Sequence, residues 1–165
     1  MKRNNLYLCV GIPGSGKSTW AKKNALQLNA SIVSRDEIRF SLIEDGADYF
    51  SKETETYNLF VNEIQQRLNN GENVIADATH LNCASRIKLL NRLNLHGVNI
   101  IPIFFDTPLR IAMERNEKRE GRARVPRSVM RRMGAQLVPP HYHEAHKYKN
   151  IIRIKEESEN GVSHF

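Results

Sequence analysis

The run Gly11-Ile12-Pro13-Gly14-Ser15-Gly16-Lys17-Ser18-Thr19 constrains this chain more than any other stretch. It matches the spacing G-x-x-x-x-G-K-[ST], and its flanks match the context that spacing needs. Leu6-Tyr7-Leu8-Cys9-Val10 before it is apolar enough for a buried strand, and Trp20-Ala21 onward reads as a helix. Glycine reaches positive φ without steric cost, so such a loop can close tightly on an anion. Loop N–H groups and the helix N-terminus then point at phosphate. In that arrangement Gly11, Pro13, Gly14, Ser15, Gly16 and Thr19 belong to the cradle. Lys17 neutralises the β- and γ-phosphates, and the Ser18 hydroxyl ligates Mg²⁺. The loop points to a nucleoside triphosphate and is silent on what is done with it.

Apolar runs of strand length alternate with helical patterns along the 165 residues. That alternation predicts one α/β domain, residues 1–155, with a mostly parallel sheet and a polar tail at 156–165. The first helix should run from about Lys17 to Asn29, and Ser31 to Ser34 forms the second strand. Ser34-Arg35-Asp36-Glu37 is a capping-box pattern opening a short helix through Ile43. Tyr57, Phe60, Val61, Ile64 and Leu68 make the apolar stripe of a long helix that stops at Asn69-Asn70-Gly71. Asn73 to Asp77 is the third strand, and Asn82 or Cys83 to Leu95 the next helix. Val98 to Phe105 is the fourth strand. Pro102 inside it cannot donate to a ladder, so that strand should be short, bulged or near an edge. Helices from Pro108 to Arg119 and from Pro126 to about Leu137 flank a polar break, and Asn150 to Ile154 ends the sheet. Two cysteines make no disulfide framework, no apolar run is long enough to span a membrane, and no leader is visible. The expected setting is a reducing cytoplasm, with no membrane partner.

The formal charge is +7, and the stretch from Arg110 to Arg132 carries nine bases against three acids. Mobile arginines at 119–125, between two helices, suit a lid over a triphosphate, with Arg119, Arg122 and Arg124 on its oxygens. A solvated basic loop would look the same in sequence. Ligands of parallel sheets sit beyond the carboxyl ends of the strands. The loops converging there carry Lys17, then Arg35, Asp36 and Arg39, then Asp77, Thr79 and His80. Asp77 ends an apolar strand, where an acid can hold Mg²⁺ beside Ser18 or simply cap a turn. On spacing alone Asp36 is equally a proton acceptor or a first-turn helix residue. Thr79 and His80 are placed toward substrate by loop position only. His141, His143 and His146 lack a companion Cys or carboxylate at a known ligand spacing.

With these residues in hand, the chain resembles the P-loop 5′-hydroxyl polynucleotide kinases, such as the kinase half of the bacteriophage polynucleotide kinase-phosphatase. The resemblance is carried by Gly11 to Ala21, Ser34-Arg35-Asp36-Glu37-Ile38-Arg39, Val74 to Asp77 with Leu81-Asn82, Phe105 to Pro108, Arg115 to Arg119 and Val125-Pro126. It implies a three-layer P-loop kinase fold with strand order 2-3-1-4-5. It also implies ATP and Mg²⁺ as cofactors and the 5′-hydroxyl end of DNA or RNA as acceptor. By matching position Asp36 is the general base, and Arg39 contacts the acceptor and the transferring phosphate. Arg119 is the lid arginine on the phosphates, and Arg35 faces the acceptor strand. The third-strand motif is one residue longer than in the phage enzyme, the lid is richer in arginine, and no phosphatase half follows. A kinase of small metabolites on the same scaffold, or a nucleotide-dependent switch that transfers no phosphate, would share the loop. Oligomeric assembly is left open.

Overall fold

A computed structural model describes residues 2–156. Five strands are β1 (Asn4–Val10), β2 (Ala30–Ser34), β3 (Asn73–Asp77), β4 (Val98–Asp106) and β5 (Ile152–Lys155). Six helices are α1 (Lys17–Leu28), α2 (Arg35–Leu42), α3 (Glu53–Asn69), α4 (Cys83–Arg92), α5 (Leu109–Glu117) and α6 (Arg127–Gln136). Every strand pair is parallel, in the order β2-β3-β1-β4-β5. The sequence read as polar tail lies outside the described residues from 157 onward.

Strand β1 shows why its sequence is apolar throughout. Successive side chains point to opposite faces of a strand. Leu6 and Leu8 pack with α3 and α4 on one face, and Tyr7 and Cys9 pack with α1 on the other. A central parallel strand is covered on both sides, so it has no polar alternation to display. A third cluster, Ile12, Leu81, Ala112, Val125 and Met130, seats α5 and α6 against the loop after β1. The predicted stripe on α3 holds, with Phe60, Val61, Ile64 and Leu68 buried. Tyr57 is only partly covered.

Among the departures from the sequence reading, two have a clear physical reason. Helix α4 ends at Arg92, because Leu93 turns to an extended backbone and buries its side chain in the α3–α4 core. Strand β4 is nine residues long and interior, not short. The Ile100 carbonyl accepts from the Lys149 N–H on the β5 flank, and Pro102, two residues on, turns the same way. Strand β5 begins only opposite Ile103. The missing N–H of Pro102 therefore falls where the ladder has no partner strand, a locally edge-like site inside a long strand.

A short 3-10 turn, Tyr142–Lys147, has no counterpart in the sequence reading. It is fastened by a buried ion pair, Arg86 Nε to Glu144 Oε1 at 2.6 Å. Arg86 also donates from Nη1 to the His80 carbonyl at 2.8 Å. Among the described residues no helix is long and apolar enough to cross a membrane.

Candidate active site

The loop between β1 and α1 is built as its glycines require. Gly14 and Gly16 have φ of 80° and 99°. A Cβ on Gly14 would come within 2.5 Å of the Ala112 carbonyl, so α5 packs directly on the loop. Gly16 is the N-cap of α1 and offers no capping side chain. The first-turn N–H groups are left for an anion. The Ser15 hydroxyl is buried with no partner among the described residues. Lys17 is buried, and its Nζ donates to the Ile12 carbonyl at 2.8 Å. Burial pushes its pKa down, opposed chiefly by the Asp77 carboxylate. Ser18 Oγ donates to Asp77 Oδ2 at 2.7 Å. The open amides, an ammonium and a hydroxyl–carboxylate pair are the donor set a nucleotide triphosphate with Mg²⁺ needs, so these residues fit both groups.

Across the cleft, Ser34 caps α2 by accepting from the Glu37 N–H. The cap sets Asp36 and Arg39 one turn apart on the same face. Arg39 is 4% exposed, and both of its terminal nitrogens are tied, while its Nε is buried with no partner among the described residues. Its Nη1 donates to Asp36 Oδ1 at 2.5 Å and to the Tyr49 hydroxyl at 2.7 Å, and its Nη2 to Glu53 Oε2 at 2.7 Å. The guanidinium also lies 4.1 Å over the Tyr49 ring. Tyr49 donates to the same Asp36 Oδ1 at 2.6 Å. Burial, then the Asp36 charge, push the Tyr49 pKa up, so its hydroxyl stays a donor. Arg35 pairs with the other Glu53 oxygen. Asp36 is thus fixed through one oxygen, while its side chain stays 54% exposed and lines the cleft.

Lys17, Ser18, Arg35, Asp36, Arg39, Asp77, Thr79 and Arg119 line one cleft with Gly14, Gly16 and Thr19. Three sequence expectations go elsewhere. Arg124 donates to the Arg119 and Glu117 carbonyls and so caps the C-terminus of α5. Arg122 sits 4.7 Å over the Phe40 ring and donates to the Ile43 carbonyl, tying the 119–125 segment to α2. The charge count flagged both as phosphate ligands, but orphan helix carbonyls and an aromatic face satisfy them here. His80 turns inward rather than toward substrate. It is 5% exposed, and its Nδ1 lies 2.7 Å from the Cys9 carbonyl.

Tyr49, Glu53 and Arg115 are site residues the sequence did not single out. Arg115 donates to the Gly14 carbonyl at 3.3 Å and pairs with Glu156. An aromatic pair, Tyr49-Phe50, in a connector that otherwise carries Glu44, Asp45 and Asp48 was the one available signal for the clamp.

Burial pushes the His80 pKa from 6.5 down to about 3, outweighing its hydrogen bond to Cys9. Between those values the unfolded chain binds a proton that the native chain refuses. Stability therefore falls as pH drops through that window. His80→Asn keeps a residue tolerant of the positive φ of 41° and removes the titration. Its unfolding free energy, measured against pH, should show a flatter acid arm than wild type; an identical slope would contradict a buried neutral imidazole.

The fold and the site together define a P-loop kinase-type domain. The chain belongs to a family described as AAA domain, which it matches over residues 6–140. It is 29% identical over 130 residues to a candidate bifunctional polynucleotide kinase/RNA ligase of Autographa californica nuclear polyhedrosis virus, covering 69% of this chain and 18% of that protein. It is 26% identical over 140 residues to the L-seryl-tRNA(Sec) kinase of Methanococcus maripaludis, covering 82% of this chain and 53% of that one. Among solved structures, the Pnkp1/Rnl/Hen1 RNA repair complex matches with a TM-score of 0.73 and 28% identity, over 83% of this chain and 45% of the matched chain. The chain therefore spans about half or less of each of these relatives.

Proposed function

We propose that this domain transfers the γ-phosphate of ATP to the 5′-hydroxyl end of a nucleic acid. The observation that carries the reading is the Asp36 clamp. Arg39 and Tyr49 hold Oδ1, and Oδ2 takes no hydrogen bond from the described residues, in the cleft that also contains the phosphate loop. A carboxylate held by one oxygen and open at the other is placed to accept a proton. The 5′-oxygen bonds to the γ-phosphorus, and the bond from phosphorus to the bridging oxygen breaks with its electron pair leaving on ADP. The hydroxyl proton passes to Asp36 Oδ2. Lys17 and Arg119 balance charge on the transferring group, and Arg39 orients the acceptor as well as the base. Mg²⁺ held by Ser18 and Asp77 would neutralise phosphate oxygens.

Phe50, 42% exposed at the cleft, offers a nucleobase a face to stack on, which a small alcohol would not use. The relatives named for polynucleotide kinase and RNA repair support the same acceptor. The coverage of the Methanococcus relative favours a second reading, a kinase for the seryl hydroxyl of an aminoacylated tRNA. Labelled ATP offered with a 5′-hydroxyl oligonucleotide, a seryl-tRNA and a panel of small alcohols separates these. Label on the oligonucleotide end is the expected result; label confined to either other acceptor would refute the proposal.

A further inference from the structure

At the edge of the cleft, three cations gather on one tyrosine. The Arg35 guanidinium lies 5.1 Å from the centre of the Tyr57 ring, Lys88 Nζ 4.6 Å and the Arg92 guanidinium 5.6 Å. They come from α2 and α4, and Tyr57 sits in the second turn of α3. Among the described residues only Arg35 has a carboxylate, and Glu53 shares that carboxylate with Arg39. Arg92 is steadied by the neutral Asn58 side chain at 3.3 Å, and Lys88 makes no ion pair among the described residues. The ring face attracts each cation, but the charges of Lys88 and Arg92 meet no carboxylate among the described residues. A polyanion would compensate them.

The cluster is also continuous with the cleft. Arg35 lines it beside Asp36, while Lys88 and Arg92 are exposed on the outer side of α4. An acceptor whose 5′-hydroxyl lies at Asp36 must lead the rest of its strand away from that point. We infer that Arg35, Tyr57, Lys88 and Arg92 form a surface for the single-stranded nucleic acid 3′ of the reacting end, binding its phosphates over the first few nucleotides. This rests on the polynucleotide reading of the cleft. It adds that the protein reads a strand, not only a terminal nucleotide. Phosphate contacts of this kind carry affinity and salt dependence rather than sequence preference.

The test pairs Lys88→Gln with Arg92→Gln in the full chain; both positions are exposed, so the fold should tolerate the exchange. Binding of a dodecanucleotide labelled at its 3′ end is followed by anisotropy across a salt series. Phosphate transfer to that strand and to a dinucleotide with the same 5′ end is measured in parallel. Wild type should favour the longer strand in kcat/KM. The variant should bind it about tenfold more weakly, with a salt slope lower by about 1.4, and lose most of its length preference. Transfer to both substrates with equal efficiency in wild type, or a variant with unchanged affinity and salt slope, would overturn the surface while sparing the cleft. Failure of wild type to phosphorylate either substrate would sink the polynucleotide reading itself, and the surface with it.

Discussion

Asp36→Asn is expected to lower kcat by about 10²–10⁴ while leaving the KM for ATP close to wild type. The exchange is conservative in shape. An amide oxygen can still accept from Arg39 Nη1 and the Tyr49 hydroxyl, as Oδ1 does now. What disappears is the charge and the free basic oxygen. A drop in kcat with ATP binding intact would therefore report on proton transfer rather than on a collapsed clamp. Near wild-type turnover would reduce Asp36 to a first-turn residue whose carboxylate complements the α2 dipole. Steady-state kinetics with ATP varied at saturating acceptor distinguishes the two.

The second large effect concerns stability. Arg86 is fully buried and Glu144 is 2% exposed. Their contact at 2.6 Å joins α4 to the turn at Tyr142–Lys147, 58 residues away in sequence. Arg86→Met leaves a carboxylate buried without its cation, which costs about 3–5 kcal/mol. For a chain of this size that corresponds to a Tm lower by about 10 °C. Pairing Arg86→Met with Glu144→Leu removes both charges and should recover most of the loss, because a well-packed apolar pair often matches a buried ion pair. Thermal unfolding of the three proteins checks this. Equal Tm values for wild type and the single variant would mean the pair is not buried in solution as it is here.

These two sites also mark where sequence reading stops. The phosphate loop was legible because its chemistry is local: glycine backbone, lysine and serine follow one another within a few residues. The parallel sheet was legible because β1 and β3 are apolar at both parities, a pattern that only two-sided burial produces. Asp36 and Arg39 were visible as residues, but the clamp was not. Tyr49 arrives from a connector and Glu53 from the start of α3, and no short spacing encodes their convergence on Arg39. For Arg122 and Arg124 the limit of charge counting is of the opposite kind. Such counting registers an arginine but not the carbonyls or the ring that hold it. Pro102 misled because an edge was read as a property of a whole strand, whereas here it belongs to one flank of one residue. The pairing of Arg86 with Glu144 gives no sequence signal, since nothing short-range encodes a contact 58 residues apart.

The most direct measurement is a structure of the domain with a non-hydrolysable ATP analogue, Mg²⁺ and a short oligonucleotide bearing a 5′-hydroxyl. The 5′-oxygen should lie within about 3 Å of Asp36 Oδ2 and face the γ-phosphorus, with Oδ1 still held by Arg39 and Tyr49. A 5′-oxygen bound away from Asp36, or an Asp36 carboxylate turned out of the cleft with ATP in place, would contradict a basic role for Asp36.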